Sequence, residues 1–109
     1  MSDSSSSPDP KSEASKCKTP LQLLPPVFMA STAKALAVGA KKYGPWNWRK
    51  NRIDAMTYVG AIRRHLDAWV EGEDMDGESG ESHLAHIAAT TAVMLDAISK
   101  NMLDNDRPA

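Results

Sequence analysis

Apolar residues recur at helical spacing in three stretches of the chain, and nowhere do they alternate with polar ones as a half-buried strand would. Ala33, Leu36, Ala37 and Ala40 predict a first helix from about Ala30 to Lys42. Tyr43-Gly44-Pro45 stops it, and "WNWRKNR" after it reads as a loop. Met56, Val59, Ile62, Leu66, Trp69 and Val70 predict a second helix, with Asp54 as its N-cap and Gly72 at its end. Leu84, Ile87, Ala88, Thr91, Leu95, Ile98 and Met102 predict a third, starting near Ser79 to Ser82 and running to about Leu103. The fold class is therefore all-α, with no internal repeat.

The polar end of the chain behaves differently. "MSDSSSSPDPKSEASKCK" has no large apolar residue after Met1, so residues 1–18 are expected to be a disordered tail. Pro20, Pro25 and Pro26 favour an extended lead-in to the helices. The folded domain is expected over 19–103, with 104–109 as a flexible C-terminus. About 80 residues in three helices make a thin core, and Val93 and Met94 widen the apolar stripe of the third helix. A second copy is expected to complete a helical bundle, as a homo-oligomer. The alternative is a monomeric three-helix bundle.

Composition adds little to this, and the distribution of charge adds more. The 109 residues suit one small domain, and a net charge of -1 argues against a general binder of nucleic acid or acidic membrane. Between Lys34 and Arg64 stand eight of the 13 Lys and Arg residues and a single acid, Asp54. Between Glu71 and Glu81 stand six acids and no base. Such a juxtaposition suits an anionic ligand that carries metal cations, although two solvated faces would read the same way. The lone Cys17 allows no internal disulfide, which is compatible with a reducing cytoplasm. No signal peptide and no apolar run of about 18 residues is seen, so the expected location is the cytoplasm.

The candidate chemistry centres on "GEDMDGESGESHLAH". Glu73, Asp74, Asp76 and Glu78 crowd one turn, and carboxylates so crowded repel unless a hard cation such as Mg²⁺ or Mn²⁺ neutralises them. An exposed acidic loop is the bland alternative. An EF-hand loop starting at Asp74 would need Gly at position 79 and Glu at 85, where Ser79 and Ala85 stand. A zincin helix needs histidines four apart, and His83 and His86 are three apart. All three histidines flank the turn: His65 mid-way along the second helix, His83 and His86 at the start of the third. They could complete a metal shell, hold a water, or bond a phosphate or base. Arg63 and Arg64 are candidate phosphate partners, one of them a plain surface charge. In "KKYGPWNWRK", cationic Lys41 and Lys42, aromatic Tyr43, Trp46 and Trp48, and the amide of Asn47 suit a nucleobase with phosphates. The tryptophans serve equally as anchors on the core.

Taken together, "GAKKYG..NW", "RRHLDAW" and "GEDMDGESG..HLAH", in this order over residues 19–97, resemble the dATP/dGTP diphosphohydrolases of phages and bacteria, relatives of the all-α MazG-like nucleotide pyrophosphohydrolases. Within that group the chain looks most like enzymes of cyanophages that replace adenine by 2-aminoadenine. The resemblance implies cleavage of a purine (deoxy)nucleoside triphosphate, dGTP or GTP, to the monophosphate. It also implies Mg²⁺ or Mn²⁺, two or more per site, and a homo-oligomer, dimer or tetramer. By that resemblance Glu73, Asp74, Asp76 and Glu78 take the metal role, because the usual paired acids on the helices are missing: "HLAH" stands where Glu-x-x-Asp is usual. Glu73, Asp76 or His65 would handle the attacking water. Lys42, Arg63 and Arg64 would steady the polyphosphate. Asn47 and a ring from Tyr43 or Trp48 would hold the base, and His83 and His86 would complete substrate binding. Two competing expectations are a non-enzymatic helical module that binds nucleotide or nucleic acid, and a purely structural oligomerisation domain. The acidic turn speaks against stable nucleic-acid binding, which would in addition be steeply salt-dependent.

Overall fold

A computed structural model describes residues 9–109. Its elements, in chain order, are α1 (Pro10–Ser15), a turn of 3-10 helix (Leu21–Leu23), α2 (Pro26–Tyr43), α3 (Asn47–Lys50), β1 (Ile53–Asp54), α4 (Ala55–Val70), α5 (His83–Ser99) and β2 (Leu103–Asp104). The three long helices stand where the periodicity places them, except that α5 ends at Ser99, four residues short of the expected Leu103, where Asn101 turns into the left-handed region at φ 56°. α2 begins four residues earlier than expected because Pro26 at its first position needs no hydrogen-bonded N–H.

The expected tail is partly helical. Asp9 caps α1 by accepting a hydrogen bond from the Ser12 N–H at 3.2 Å, and Pro10 follows at the first helical position. These local signals form one short helix without burying any of its residues. Residues 1–8 of the expected tail lie outside the described residues.

Packing follows residue size. α4 and α5 form an antiparallel pair around the acidic turn, and α2 lies against α5. The buried apolar positions of α5 are Ala85, Ala89, Val93 and Ala97, four residues apart, so the small side chains let α2 approach closely. Ala35, Ala85 and Ala89 make one core cluster, and Ile53, Val93 and Ala97 make a second. Leu36 packs against both, while Trp48, Tyr58, Met102 and Leu103 close the second. The stripe expected to face the core instead points outward in large part: Leu84, Leu95 and Ile98 are 48%, 65% and 58% exposed. α4 behaves likewise, with Met56, Leu66, Trp69 and Val70 exposed. Both helices are apolar on two faces, and the in-chain contact takes the face with the smaller residues.

The connections are more ordered than a loop reading suggests. β1 and β2 pair in parallel, Ile53 opposite Leu103 and Asp54 opposite Asp104. Arg52 Nε donates to Asp104 Oδ1 at 2.7 Å. Asp54 stands at the N-cap position of α4, but its side chain makes no capping bond. Asp106 caps the helix instead, accepting from the Met56 N–H at 2.8 Å. The segment expected to be a flexible C-terminus is thus tied at Asp104 and Asp106 to the start of α4. The segment expected as the loop "WNWRKNR" contains the single turn α3, entered through Trp46 in the left-handed region at φ 60°.

Asp96 on α5 fastens α3 in place. Its Oδ2 accepts from Trp48 Nε1 and Arg49 Nε, each at 2.7 Å, and its Oδ1 accepts from the second guanidinium nitrogen at 2.8 Å. The Arg49 guanidinium, then the Trp48 N–H, hold its carboxyl down at about 2, below an ordinary value of 3.8. A depressed carboxyl stabilises the fold above its unfolded value and loses that contribution as pH falls through its folded value. Acid unfolding should therefore show a component between about pH 4 and pH 2 that Asp96→Asn removes, read by circular dichroism along a pH titration of both proteins. No helix among the described residues is long and apolar enough to cross a membrane.

Candidate functional site

The acidic turn folds back on itself. Gly72 and Gly80, at φ 98° and 76°, supply the left-handed positions that reverse the chain, which other residues adopt at a cost. The Asp76 N–H donates to Glu81 O at 2.8 Å, and the His83 N–H to Asp74 O at 3.0 Å. The Ser79 N–H donates to Asp76 Oδ2 at 2.9 Å. This closed turn presses one acid, Asp76, half-buried against the start of α5, and leaves Glu73, Asp74 and Glu78 exposed.

Behind Asp76 lies a linked set of imidazoles. His83, 3% exposed, has its Nε2 2.6 Å from Glu73 Oε1. Its Nδ1 lies 2.8 Å from His65 Nδ1. His65 stacks on His86, with ring centroids 4.6 Å apart and planes 7° apart. His86 Nε2 lies 2.7 Å from Ser79 Oγ, which accepts in turn from the Glu81 N–H at 3.1 Å. Burial first, then the neighbouring His86 and His83, lowers the His65 pKa below the ordinary histidine value, so its imidazole is neutral near neutral pH. Burial pushes Asp76 up, but hydrogen bonds from the Ser79 hydroxyl and amide, with help from His86 and His65, outweigh it and leave the carboxyl depressed. A neutral imidazole beside an ionised carboxylate can bind a cation or take a proton from water.

His65, Asp76 and His86 open into a cleft of about 370 Å³ between α2, α4 and α5. Lys42, Tyr43, Asn47, Trp48, Glu78, Tyr58, Ser79 and Thr90 line it too. That volume is in the range of small-ligand sites. Tyr58 stands two helical turns before His65, so the aromatic wall lies about 10 Å along α4 from the imidazoles, roughly the length of a nucleotide. Burial, then Tyr43, raises the Tyr58 pKa, so its hydroxyl keeps its proton. Among the described residues the Asn47 side chain has no hydrogen-bond partner, which leaves the amide available in the cleft. Lys42 Nζ is 3.5 Å from Glu78 Oε2, a loose exposed pair at the same cleft.

The structure thus gathers Lys42, Tyr43, Asn47, Trp48, His65, Asp76, Glu78 and His86 about one space. His83 and Glu73 stand behind His65 and do not line the cleft. Asp74 meets His83 only through its backbone carbonyl. Arg63 and Arg64 are exposed on α4 and do not line the cleft. Of the four expected metal acids only Asp76 belongs to a compact donor group: among the described residues the three that bring ligand atoms within 4.8 Å of one another are His65, Asp76 and His83. Ser79 and Tyr58 went unnoticed in the sequence. Ser79 carries a readable signal, since an Asp three residues before it forms an Asx-type turn.

A family model described as dATP/dGTP diphosphohydrolase, N-terminal, matches residues 8–107. The chain belongs to that family. A dATP/dGTP diphosphohydrolase of Salmonella phage PMBT28 is 32% identical over 90 residues, covering 83% of this chain and 30% of that protein. The chain therefore spans about a third of the length of this curated relative. No solved structure matches the chain. The family match runs over every element that builds the cleft, from α2 to α5, and over the C-terminal segment that caps α4.

Proposed function

We propose that this chain is a metal-dependent nucleotide diphosphohydrolase module that takes a purine (deoxy)nucleoside triphosphate to its monophosphate in the cleft between α2, α4 and α5. The observation that carries this reading is the meeting of Lys42, Asn47 and the rings of Tyr43, Trp48 and Tyr58 with His65, Asp76 and His86 in one space, on a chain of this family. The base lies at the aromatic end, with the Asn47 amide toward its edge. The phosphates lie toward the imidazoles, where Lys42 releases Glu78 to meet them. His65, neutral and stacked on His86, faces the phosphates at this end of the cleft. Asp76 and the histidines around it fit a divalent ion such as Mn²⁺: an ionised carboxylate faces two imidazole donors. When bound, such an ion neutralises charge on the phosphates and lowers the pKa of water.

Preference for guanine, and a role in supplying the monophosphate for 2-aminoadenine nucleotide synthesis, rest on the resemblance of the motifs. So does assembly into a dimer or tetramer, which the exposed Leu84, Leu95 and Ile98 on α5 and Leu66, Trp69 and Val70 on α4 also support. Sedimentation velocity is expected to show a dimer or larger, and a monomer at micromolar concentration defeats that part. The activity is tested with a panel of nucleoside triphosphates, with and without Mn²⁺, followed by chromatography of the products. Monophosphate from dGTP and GTP, dependent on the metal, is the expected result. Nucleotide that binds and is recovered intact would make the chain a binding module.

A further inference from the structure

The acids of the turn are the obvious place for a metal, and the structure does not gather them there. We infer that His65, Asp76 and His83 form a two-nitrogen, one-oxygen site for a single first-row transition-metal ion, of the Mn²⁺, Co²⁺ or Zn²⁺ class, and that Glu73 stands outside it to aim His83. The inference refines the metal dependence proposed above and rests on it.

Glu73 fixes the direction of His83. A carboxylate only accepts hydrogen bonds, so the 2.6 Å contact of His83 Nε2 with Glu73 Oε1 places the proton on Nε2. The lone pair of His83 is then on Nδ1. In the metal-free chain it is filled by the Nδ1–H of His65, 2.8 Å away. Two metal bonds of about 2.1 Å at a right angle put their donor atoms about 3.0 Å apart. The two imidazole nitrogens therefore already stand at nearly the spacing of neighbouring ligands. An ion would take the place of the shared proton, which moves to His65 Nε2 and leaves the imidazole neutral.

The third donor is poised in a similar way. Asp76 Oδ2 is held by the Ser79 N–H, and His86 Nε2 stands 3.9 Å from the same oxygen. His86 is not part of the donor group: it binds Ser79 through Nε2 and stacks on His65, which keeps the His65 ring from turning away. A carboxylate that hydrogen-bonds the far nitrogen of a ligating histidine is the usual second rank of a metal centre. Glu73 and His83 match that pattern.

The donor set also selects the ion. Mg²⁺ prefers oxygen ligands and gives up water reluctantly, whereas imidazole suits the later divalent ions. His83 is buried, Asp74 is exposed, and Glu78 stands at the cleft as the partner of Lys42. The oxygen cage that Mg²⁺ would need is not built here.

Titration calorimetry of the full chain without nucleotide tests this, using MnCl₂, CoCl₂, ZnCl₂ and MgCl₂ separately. The visible spectrum of the Co²⁺ form reports nitrogen ligands. One tight site for Mn²⁺ and Co²⁺ is expected, with Mg²⁺ at least about 100-fold weaker. His65→Asn should weaken Mn²⁺ at least about 100-fold and Glu73→Gln about 10- to 100-fold, with Asp74→Asn and Glu78→Gln close to the parent. Equal affinity for Mg²⁺ and Mn²⁺, or a loss in Asp74→Asn or Glu78→Gln as large as in His65→Asn, overturns the assignment. His83 is too buried to be sure that a variant folds, so its tautomer is read in the unaltered protein from imidazole ¹⁵N shifts. A proton on Nδ1 of metal-free His83 would also overturn it. A chain that binds Mn²⁺ as described but leaves every nucleotide intact sinks the proposed hydrolysis and not the metal site.

Discussion

Asp76→Asn is expected to lower turnover of the preferred nucleoside triphosphate by at least about 100-fold while leaving the helical circular dichroism signal unchanged. Asparagine keeps an oxygen for the Ser79 N–H, so the turn retains its shape. It loses the negative charge, and with it the oxygen donor that faces His65 and His83. The Ser79 hydroxyl and amide hold the native carboxyl ionised despite its partial burial, so the charge is present throughout the useful pH range. Asp74→Asn is the contrast: its side chain is exposed and outside the donor group, and its turnover should stay within about twofold of the parent. A cradle made of four equivalent acids would respond to both changes alike. Steady-state kinetics of the two variants therefore separates a built site from a merely acidic loop, and an active Asp76→Asn protein refutes the role given to Asp76.

The difference between those two acids was not legible in the sequence, and the reason is geometric. Glu73, Asp74, Asp76 and Glu78 have the same chemistry within six positions. Which one turns inward depends on left-handed Gly72 and Gly80 and on the hydrogen bonds from Asp76 to Glu81 and from His83 to Asp74, none of which has a periodic signature. The histidines were easier, because His83 and His86, three residues apart on one helix, lie on related faces. His65 and His86 converge from two helices whose ends are fixed by the turn between them. Asn47, Trp48 and Lys42 were legible as a chemical type, aromatic beside amide beside cation. The arrival of Asn47 and Trp48 at the cleft depends on Asp96, which sits almost fifty residues later and carries no mark of its role.

The faces of the helices failed for a related reason. On α5 the large apolar residues, Leu84, Leu95 and Ile98, make the stronger pattern, yet Ala85, Ala89, Val93 and Ala97 are buried. Periodicity identifies an apolar face and does not say which partner it meets. Alanines allow a close helix contact within one chain, and this leaves the bulkier face outward. The same economy of size explains why no large side chain is fully buried among the described residues. A monomer with so small a core is marginal, which is the physical ground for expecting a second copy.

Trp48→Ala should be the most damaging change to stability outside the catalytic group. The half-buried ring packs on the cluster of Ile53, Val93 and Ala97, and its Nε1 donates to Asp96 Oδ2 at 2.7 Å. Full burial of a tryptophan is lost at a cost of about 3–5 kcal/mol on truncation, and a half-buried one should cost about 2–3 kcal/mol. In a domain of this size that lowers Tm by roughly 10–20 °C. The same ring is a wall of the cleft, so KM for nucleotide should rise in any fraction that stays folded. Trp48→Phe keeps one aromatic ring on the core while removing the N–H and the smaller ring of the indole. It should sit well above the alanine variant in Tm, with the remaining loss reporting the Asp96 bond and the smaller ring together. Differential scanning calorimetry on the three proteins reads the order. A Trp48→Ala protein as stable as the parent would mean that the segment from Trp46 to Lys50 is held by Arg49 and Asp96 alone, with the ring only resting on the core.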